Sequence, residues 1–174
     1  LAAAIAVGAV LSAVLSSIAG MYGDDQADLT VAIVYAFVLA APLAVRRRWP
    51  ATVAVIVCGA YMVAVTLSVP EIYAGNIAMF IALYTVGAWS THRRRAAIVR
   101  IAIIAAMFLW LFTTMFIVAT SSDPAVDEVF SRAGAFSPYV AYSLLQILIN
   151  ALYFGGAYYF GERAWAQMRE RRAL

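Results

Sequence analysis

Few side chains in this sequence could perform chemistry, and most of them lie where apolar segments end. The one histidine, His92, stands beside an arginine triplet with no cysteine or acid near it. A metal site needs several ligands at suitable spacing, and no such set occurs. The sequence also lacks a glycine-rich phosphate loop and a nucleophile elbow. It therefore predicts no catalytic residue, no metal ligand and no cofactor-binding residue in these 174 residues.

Two polar residues inside an apolar run are the best candidates for an intramembrane function. Gln146 and Asn150 are four residues apart and therefore share one face of a helix. The simpler interpretation is hydrogen bonding between helices, which is how mild polar groups are used in lipid. The alternative is that they line a cavity that senses a ligand or signal.

A second pair of residues lies beyond the last apolar run. Trp165 and Met168 continue a pattern of three- and four-residue steps that is typical of a coiled-coil seam. Two positions are compatible with a heptad repeat without establishing one. The residues alone leave two interpretations open: a signalling helix that leaves the membrane, or an amphipathic end anchored by arginines.

Composition indicates the environment in which these residues must be positioned. Hydrophobic residues make up 66% of the chain, charged residues 12%, and mean hydropathy is +0.89. A soluble domain is about half apolar and about a quarter charged. Residues 1–22 and 139–160 carry no charge, and each run matches the ~20 residues that a membrane-spanning helix needs. A soluble helical protein with a large core does not explain such runs, so the sequence predicts an all-α integral membrane protein.

Six apolar segments predict a six-transmembrane helical bundle whose last helix extends into the cytoplasm. We expect a transmembrane sensor domain over residues 1–160 and a truncated signalling-helix linker over 161–174. A short surface helix is expected between residues 120 and 138, where Asp123 and Pro124 form a helix-start signal. The predicted spans are Leu1–Tyr22, Leu29–Val45, Ala51–Val69, Ile72–Trp89, Ile101–Ala119 and Tyr139–Phe160.

The basic residues predict the orientation of this bundle. With six spans, eleven of the twelve basic residues fall on one side and seven of the nine acids on the other. Arginines in short connections stay in the cytoplasm, so a multi-pass plasma-membrane protein with both termini cytoplasmic is expected. The arginine triplets are interpreted as topology anchors and contacts to anionic lipid rather than a nucleic-acid surface. These anchors are Arg46, Arg47, Arg48, Arg93, Arg94 and Arg95.

Three stretches resemble the N-terminal membrane region of actinobacterial sensor histidine kinases, the class paired with LuxR-type response regulators. They are APLAVRRRWPATVAV (41–55), IALYTVGAWSTHRRRA (81–96) and GERAWAQMRERRAL (161–174). The resemblance implies a homodimer whose last helix continues into a dimerisation region with the phosphoacceptor histidine, followed by an ATP-binding domain. Neither module is in these residues, and His92 lies on the wrong element to be the phosphoacceptor. ATP with magnesium and a cytoplasmic response regulator are thus expected only for the missing kinase module.

The function expected from the resemblance is that of a sensor and membrane anchor. It would pass a signal from the bilayer, or from a neighbouring transporter, through the last helix to the kinase. The alternative is an accessory or permease-like subunit of a membrane complex such as an ABC transporter. A membrane enzyme acting on lipid is a weaker third interpretation, resting on the outer-side acids Asp24, Asp25, Asp28 and Glu71. Such acids are usually solvated and have no catalytic role.

Overall fold

The computed structural model describes residues 1–20, 27–71, 73–121, 134 and 137–173 of the chain. Within this part the protein is all helical, with 86% of residues in helices and no strand. The described helices number six, and we label them α1 to α6. They are α1 Ala2–Ile18, α2 Leu29–Ala44, α3 Pro50–Thr66, α4 Tyr73–Trp89, α5 Arg93–Thr120 and α6 Pro138–Ala173.

The all-α architecture predicted from the sequence is confirmed, and α2 to α4 lie within a few residues of the predicted spans. By length and composition, two of the described helices could cross a membrane: Arg93–Thr120 and Pro138–Arg171. The four earlier helices are apolar but have only 16 or 17 residues each. At 1.5 Å per residue, 17 residues cover about 25 Å, somewhat less than the ~30 Å hydrocarbon core of a bilayer.

The start of α5 differs from the prediction. The segment from Ser90 to Arg100 was expected to be a connection, but α5 already begins at Arg93. A hydropathy pattern starts a span only after the last charged residue, because it treats every arginine as exposed to solvent. Nothing between Arg93 and Ile101 breaks a helix, and Arg100 finds partners inside the protein, so the helix continues through the charged stretch.

Local signals account for several helix ends. Pro50 occupies the first turn of α3, where its missing N–H costs nothing. Glu71 caps α4: its carboxylate oxygens accept hydrogen bonds from the amides of Ala74 at 2.7 Å and Gly75 at 3.0 Å. The Glu71 side chain is 1% exposed, so this acid is a buried cap and not the solvated loop carboxylate that the sequence suggested.

The chain divides into two compact units, of which the first contains residues 1–100 and 157–174. In it, α1 packs mainly on α2 and α3 on α4, while α2 also contacts α3 and α4. Small side chains fill much of the interior, which lets the helix backbones approach closely. The fully buried alanines of this interior are Ala9, Ala13, Ala32, Ala36, Ala54, Ala78, Ala82 and Ala157.

The outward faces of this unit carry large apolar side chains. On α1, Val7, Leu11 and Leu15 are each more than half exposed, while Ala9 and Ala13 on the opposite face are buried. A soluble helix places its large apolar residues inside, because water penalises exposed apolar surface. Small residues inside and large ones outside are the arrangement expected of helices surrounded by lipid.

The second unit contains residues 101–156, the longer part of α5 and the first half of α6. Aromatic contacts join its two helices, with the ring centroids of Phe108 and Phe154 5.8 Å apart. The hydroxyl of Tyr139 donates a hydrogen bond to the carbonyl of Met115. Phe154 is 2% exposed, so it is the anchor of this small helix pair.

The predicted domain boundary at residue 160 separates a membrane part from a cytoplasmic part, whereas the two units reflect packing. These divisions describe different properties, and the predicted boundary remains a prediction. The expected surface helix after residue 120 lies almost wholly outside the described residues, as do Asp24 and Asp25.

Candidate functional site

The strongest concentration of polar contacts lies where α6 passes the end of α4 and the start of α5. We call this cluster the exit junction. All of its residues belong to the first compact unit. It consists of Gly87 on α4, Arg93 and Arg100 on α5, and Tyr158, Gly161, Glu162 and Trp165 on α6.

Two glycines bring the backbones of α4 and α6 into contact. A Cβ atom added to Gly87 would lie 2.9 Å from the Cα of Gly161. A Cβ atom added to Gly161 would lie 3.2 Å from the Cα of Gly87 and 3.1 Å from the carbonyl oxygen of Tyr84. Real side chains essentially never come closer than 3.0 Å, so glycine at position 87 is what permits this crossing.

Arg100 lies at the centre of the junction and has no solvent exposure. Its Nη1 donates to the carboxylate of Glu162 at 2.8 Å, and its Nη2 donates to the carbonyl of Tyr158 at 2.7 Å. The guanidinium also stacks over the Tyr158 ring, 3.6 Å from the centroid. A buried charge costs several kcal/mol in lost hydration unless it is paired, and Glu162 supplies the opposite charge.

Arg93 supplies a second arginine to the same carboxylate. It forms an ion pair with Glu162 and donates a hydrogen bond to the carbonyl of Gly87, at the end of α4. Its guanidinium lies 4.4 Å from the centroid of the Trp165 ring. Arg93 and Arg100 are seven positions apart, which is close to two helical turns, so both side chains project from the same face of α5. Glu162 is thus held by two points on α5.

Trp165 and Met168, the predicted signalling-helix pair, are both half-buried in the structure. Trp165 has arginines near its ring from two helices, Arg93 and, at 5.5 Å, Arg169. Trp165, Met168 and Arg169 line a cavity of about 360 Å³ together with the end of α4 around Trp89. The structure therefore brings the two predicted residues together. The coiled-coil seam itself stays a prediction.

Gln146 and Asn150 lie together on α6 within the second unit, away from the junction residues in sequence. The Gln146 amide donates to the hydroxyl of Tyr142 at 2.7 Å, and the Asn150 amide donates to the carbonyl of Gln146 at 2.9 Å. Both bonds stay within α6 rather than reaching a neighbouring helix. The predicted shared face is present, and its hydrogen bonding is local.

The predicted topology anchors make different contacts. Arg46 donates to the carbonyl of Leu43 at 3.0 Å and so satisfies an end of α2. Arg47 stacks on Trp89 at 4.5 Å, and Arg48 lies 5.3 Å from the Trp49 ring. Arg93 belongs to the exit junction, whereas Arg94 and Arg95 are exposed. Their role as anchors stays a prediction.

Sequence reasoning missed the residues at the heart of the junction. Arg100 was assigned to a connection, and Glu162 was treated as part of a charged tail. A signal was available: Glu162 is the first acid after the last uncharged run, and it lies in an arginine-rich segment. The pairing of two residues 62 positions apart could not be read from either local pattern.

The arrangement binds helices together and does not resemble a catalytic centre. The described residues contain no group of three or more histidine, cysteine or acidic side chains that could hold a metal ion. What the junction can do is hold α6 against α5 through the carboxylate of Glu162 and against α4 through the close contact of Gly87 and Gly161. Any movement of α6 along or about its axis must break or rearrange those two ion pairs.

The comparison with protein families gives the class to which this chain belongs. Residues 2–141 match the family described as Domain of unknown function (DUF7134), and the chain belongs to that family. The match covers α1 to α5 and the first residues of α6, and it ends before Glu162 and Trp165. No curated protein and no solved structure matches the chain.

Proposed function

We propose that this chain is the membrane-embedded sensor and anchor of a two-component histidine kinase, passing a signal through α6 to a cytoplasmic kinase module. The observation that supports this most is the course of α6, which runs unbroken for 36 residues from Pro138 to Ala173. Its first half is apolar enough to lie in lipid, and its second half carries the charged junction and the arginine-rich end. The resemblance of three sequence stretches to sensor histidine kinases supports the same function.

In this proposal all six helices cross the plasma membrane and both chain ends face the cytoplasm. The outward large apolar residues of α1 to α4 support their contact with lipid. The arginine-bearing ends of the helices support the orientation, because cytoplasmic connections retain positive charge. The exit junction then lies at the cytoplasmic membrane surface, where α6 leaves the bilayer.

The mechanism follows from the contacts of Glu162. In one state the carboxylate holds Arg93 and Arg100, and α6 stays fixed against α4 and α5. A stimulus that favours a different packing of the bundle weakens these ion pairs and lets α6 rotate or slide. The stimulus shifts the equilibrium only by its difference in affinity for the two states. The helix beyond Trp165 then carries the change to a dimeric kinase, which uses ATP with magnesium and a response regulator.

The test uses the complete protein encoded by the reading frame that contains this chain, reconstituted in lipid nanodiscs. We expect the reading frame to continue into a histidine-bearing helix pair and an ATP-binding domain. Glu162→Gln should change basal autophosphorylation by about fivefold or more, because a coupling of ~1 kcal/mol shifts a two-state equilibrium that far. Labelled ATP measures the phosphorylated fraction.

The matched control is Glu170→Gln, which removes the same charge from an exposed position on the same helix. It should leave autophosphorylation unchanged. Equal activity of Glu162→Gln and the unmodified protein would contradict signalling through the junction. A reading frame that stops without a kinase module would contradict the kinase assignment and favour the accessory subunit of a membrane complex.

A further inference from the structure

A cavity of about 260 Å³ lies on the arginine-bearing side of the first unit, between two turns of the chain. One wall is the turn between α2 and α3, and the other is the turn between α4 and α5. None of its residues makes the ion pairs of the exit junction. Its polar and aromatic lining includes Arg47, Arg48, Trp89, Ser90, His92 and Arg95.

The cavity collects positive charge without a counter-charge. Three arginines line it, and no aspartate or glutamate does. Glu162, the acid of the exit junction, already pairs with Arg93 and Arg100. Three cations at one concave surface repel one another, and an anion between them removes that repulsion.

The aromatic contacts orient these arginines for binding. Arg47 lies over the face of Trp89 at 4.5 Å, and Arg48 lies near the face of Trp49 at 5.3 Å. Stacking uses the flat face of a guanidinium and leaves the N–H groups along its edge able to donate. These donors form a fork that matches the oxygens of a phosphate group.

Two helix starts add to the positive potential. Pro50 and Ala51 in the first turn of α3 line the cavity, as do Arg95 and Ala96 in the first turns of α5. The first amide groups of a helix have no partner within it, and together with the helix dipole they favour an anion nearby. The hydroxyl of Ser90 and the imidazole of His92 supply further donors.

We propose that this cavity binds a phosphate-bearing group of small size, either the headgroup of an anionic phospholipid or a free phosphate. The volume is slightly below the roughly 300–1,000 Å³ of sites for drug-sized ligands, which suits a headgroup or phosphate better than a nucleotide. Phosphate oxygens accept from the arginine edges, and Trp89 packs against the remainder of the ligand. Binding here does not depend on whether α6 carries a signal.

The experiment compares three probes on the purified chain in neutral detergent. Native mass spectrometry counts bound molecules during titration with phosphatidylglycerol, phosphatidylcholine or inorganic phosphate. Arg95→Gln and Arg47→Gln should each weaken binding by about five- to tenfold, the usual effect of losing one arginine contact to a phosphate near a membrane surface. Both side chains are exposed, so neither variant leaves a cavity in the interior, although Arg47→Gln also removes the stacking on Trp89.

Arg94→Gln is the matched control, because it removes the same charge from the neighbouring position, which does not line the cavity. It should keep affinity within about twofold of the unmodified chain, since only the screened long-range charge is lost. Preference for phosphatidylglycerol, with this pattern of variants, identifies a lipid headgroup. Saturable inorganic phosphate binding that competes with lipid identifies a free phosphate. Equal weakening by Arg94→Gln and Arg95→Gln, or no binding of either anion, overturns the proposal.

Discussion

The exit junction depends on the absence of a side chain at Gly87 and on the carboxylate of Glu162. A buried guanidinium such as Arg100 is tolerated only with an opposite charge beside it, and removing that partner leaves an uncompensated charge. Glycine at position 87 leaves room for the Arg100 side chain where any other residue would meet it. The burial of Arg100 therefore requires both the opposite charge of Glu162 and the small size of Gly87.

At the residue scale, we expect Gly87→Ala to destabilise the protein. The added methyl group would meet Nη1 of Arg100 and the backbone of Gly161, and both contacts are too close to accept. Forcing extra volume into a packed site costs about 1–3 kcal/mol. The midpoint of thermal unfolding, followed by circular dichroism in detergent, should therefore fall.

Gly59→Ala on α3 is the control for this substitution. A Cβ atom at position 59 meets nothing within 4 Å, and alanine is the better helix former by up to about 1 kcal/mol. Its midpoint should stay equal or rise. If Gly87→Ala unfolds at the same temperature as Gly59→Ala, the close crossing of α4 and α6 is not a feature of the protein in solution.

At the element scale, the helices differ in which groups accept hydrogen bonds from the free backbone amides at their starts. Glu71 accepts from two amides of the first turn of α4 while buried, so this helix start has no water to replace its cap. Asp28 stands at the start of α2 without a side-chain capping bond, and it is exposed. Both acids lie just before a helix, but only Glu71 accepts hydrogen bonds from the amides of the first turn.

We therefore expect Glu71→Ala to lower stability by about 1–2 kcal/mol, because loss of a cap leaves buried amides unsatisfied. Asp28→Ala should change it little, since water already serves that helix end. Thermal unfolding in detergent compares the two variants. A fall of the same size in both would show that negative charge near a helix start, and not the two hydrogen bonds of Glu71, is what stabilises α4.

At the scale of the whole molecule, the number of spans is the decisive property. Six spans place Asp28 and His92 on opposite sides of the membrane. If only α5 and α6 crossed, both residues would lie on the same side. Both are exposed at helix ends, and the sequence contains one cysteine, the buried Cys58.

Single cysteines in a Cys58→Ala background test this. In intact cells, a membrane-impermeant maleimide should label Asp28→Cys and leave His92→Cys unlabelled, because arginine-rich connections stay inside. Permeabilised cells should label both. The Cys58→Ala protein without an added cysteine is the background control. Identical labelling of the two positions in intact cells would rule out six spans.

Much of the fold was predictable because apolar run length and charge are local properties. The segments assigned to α2, α3 and α4 match the helices closely. Trp165 and Met168 lie on α6, and their role in signalling stays a prediction. The start of α5 was misjudged by eight residues, since Arg100 looks like a residue for water when only its neighbours are considered. The buried state of Glu71 was missed for the same reason.

The sequence by itself determined the all-helical class and the positions of the apolar segments. Only the tertiary structure decided that Gly87 meets Gly161, that Glu162 joins Arg93 to Arg100, and that Arg47 shares a cavity with Arg95. The physical reason is the distance along the chain over which each effect acts. Hydropathy and helix propensity act within a few residues, whereas these contacts depend on where two helices cross, which is settled by close packing between residues far apart in the chain.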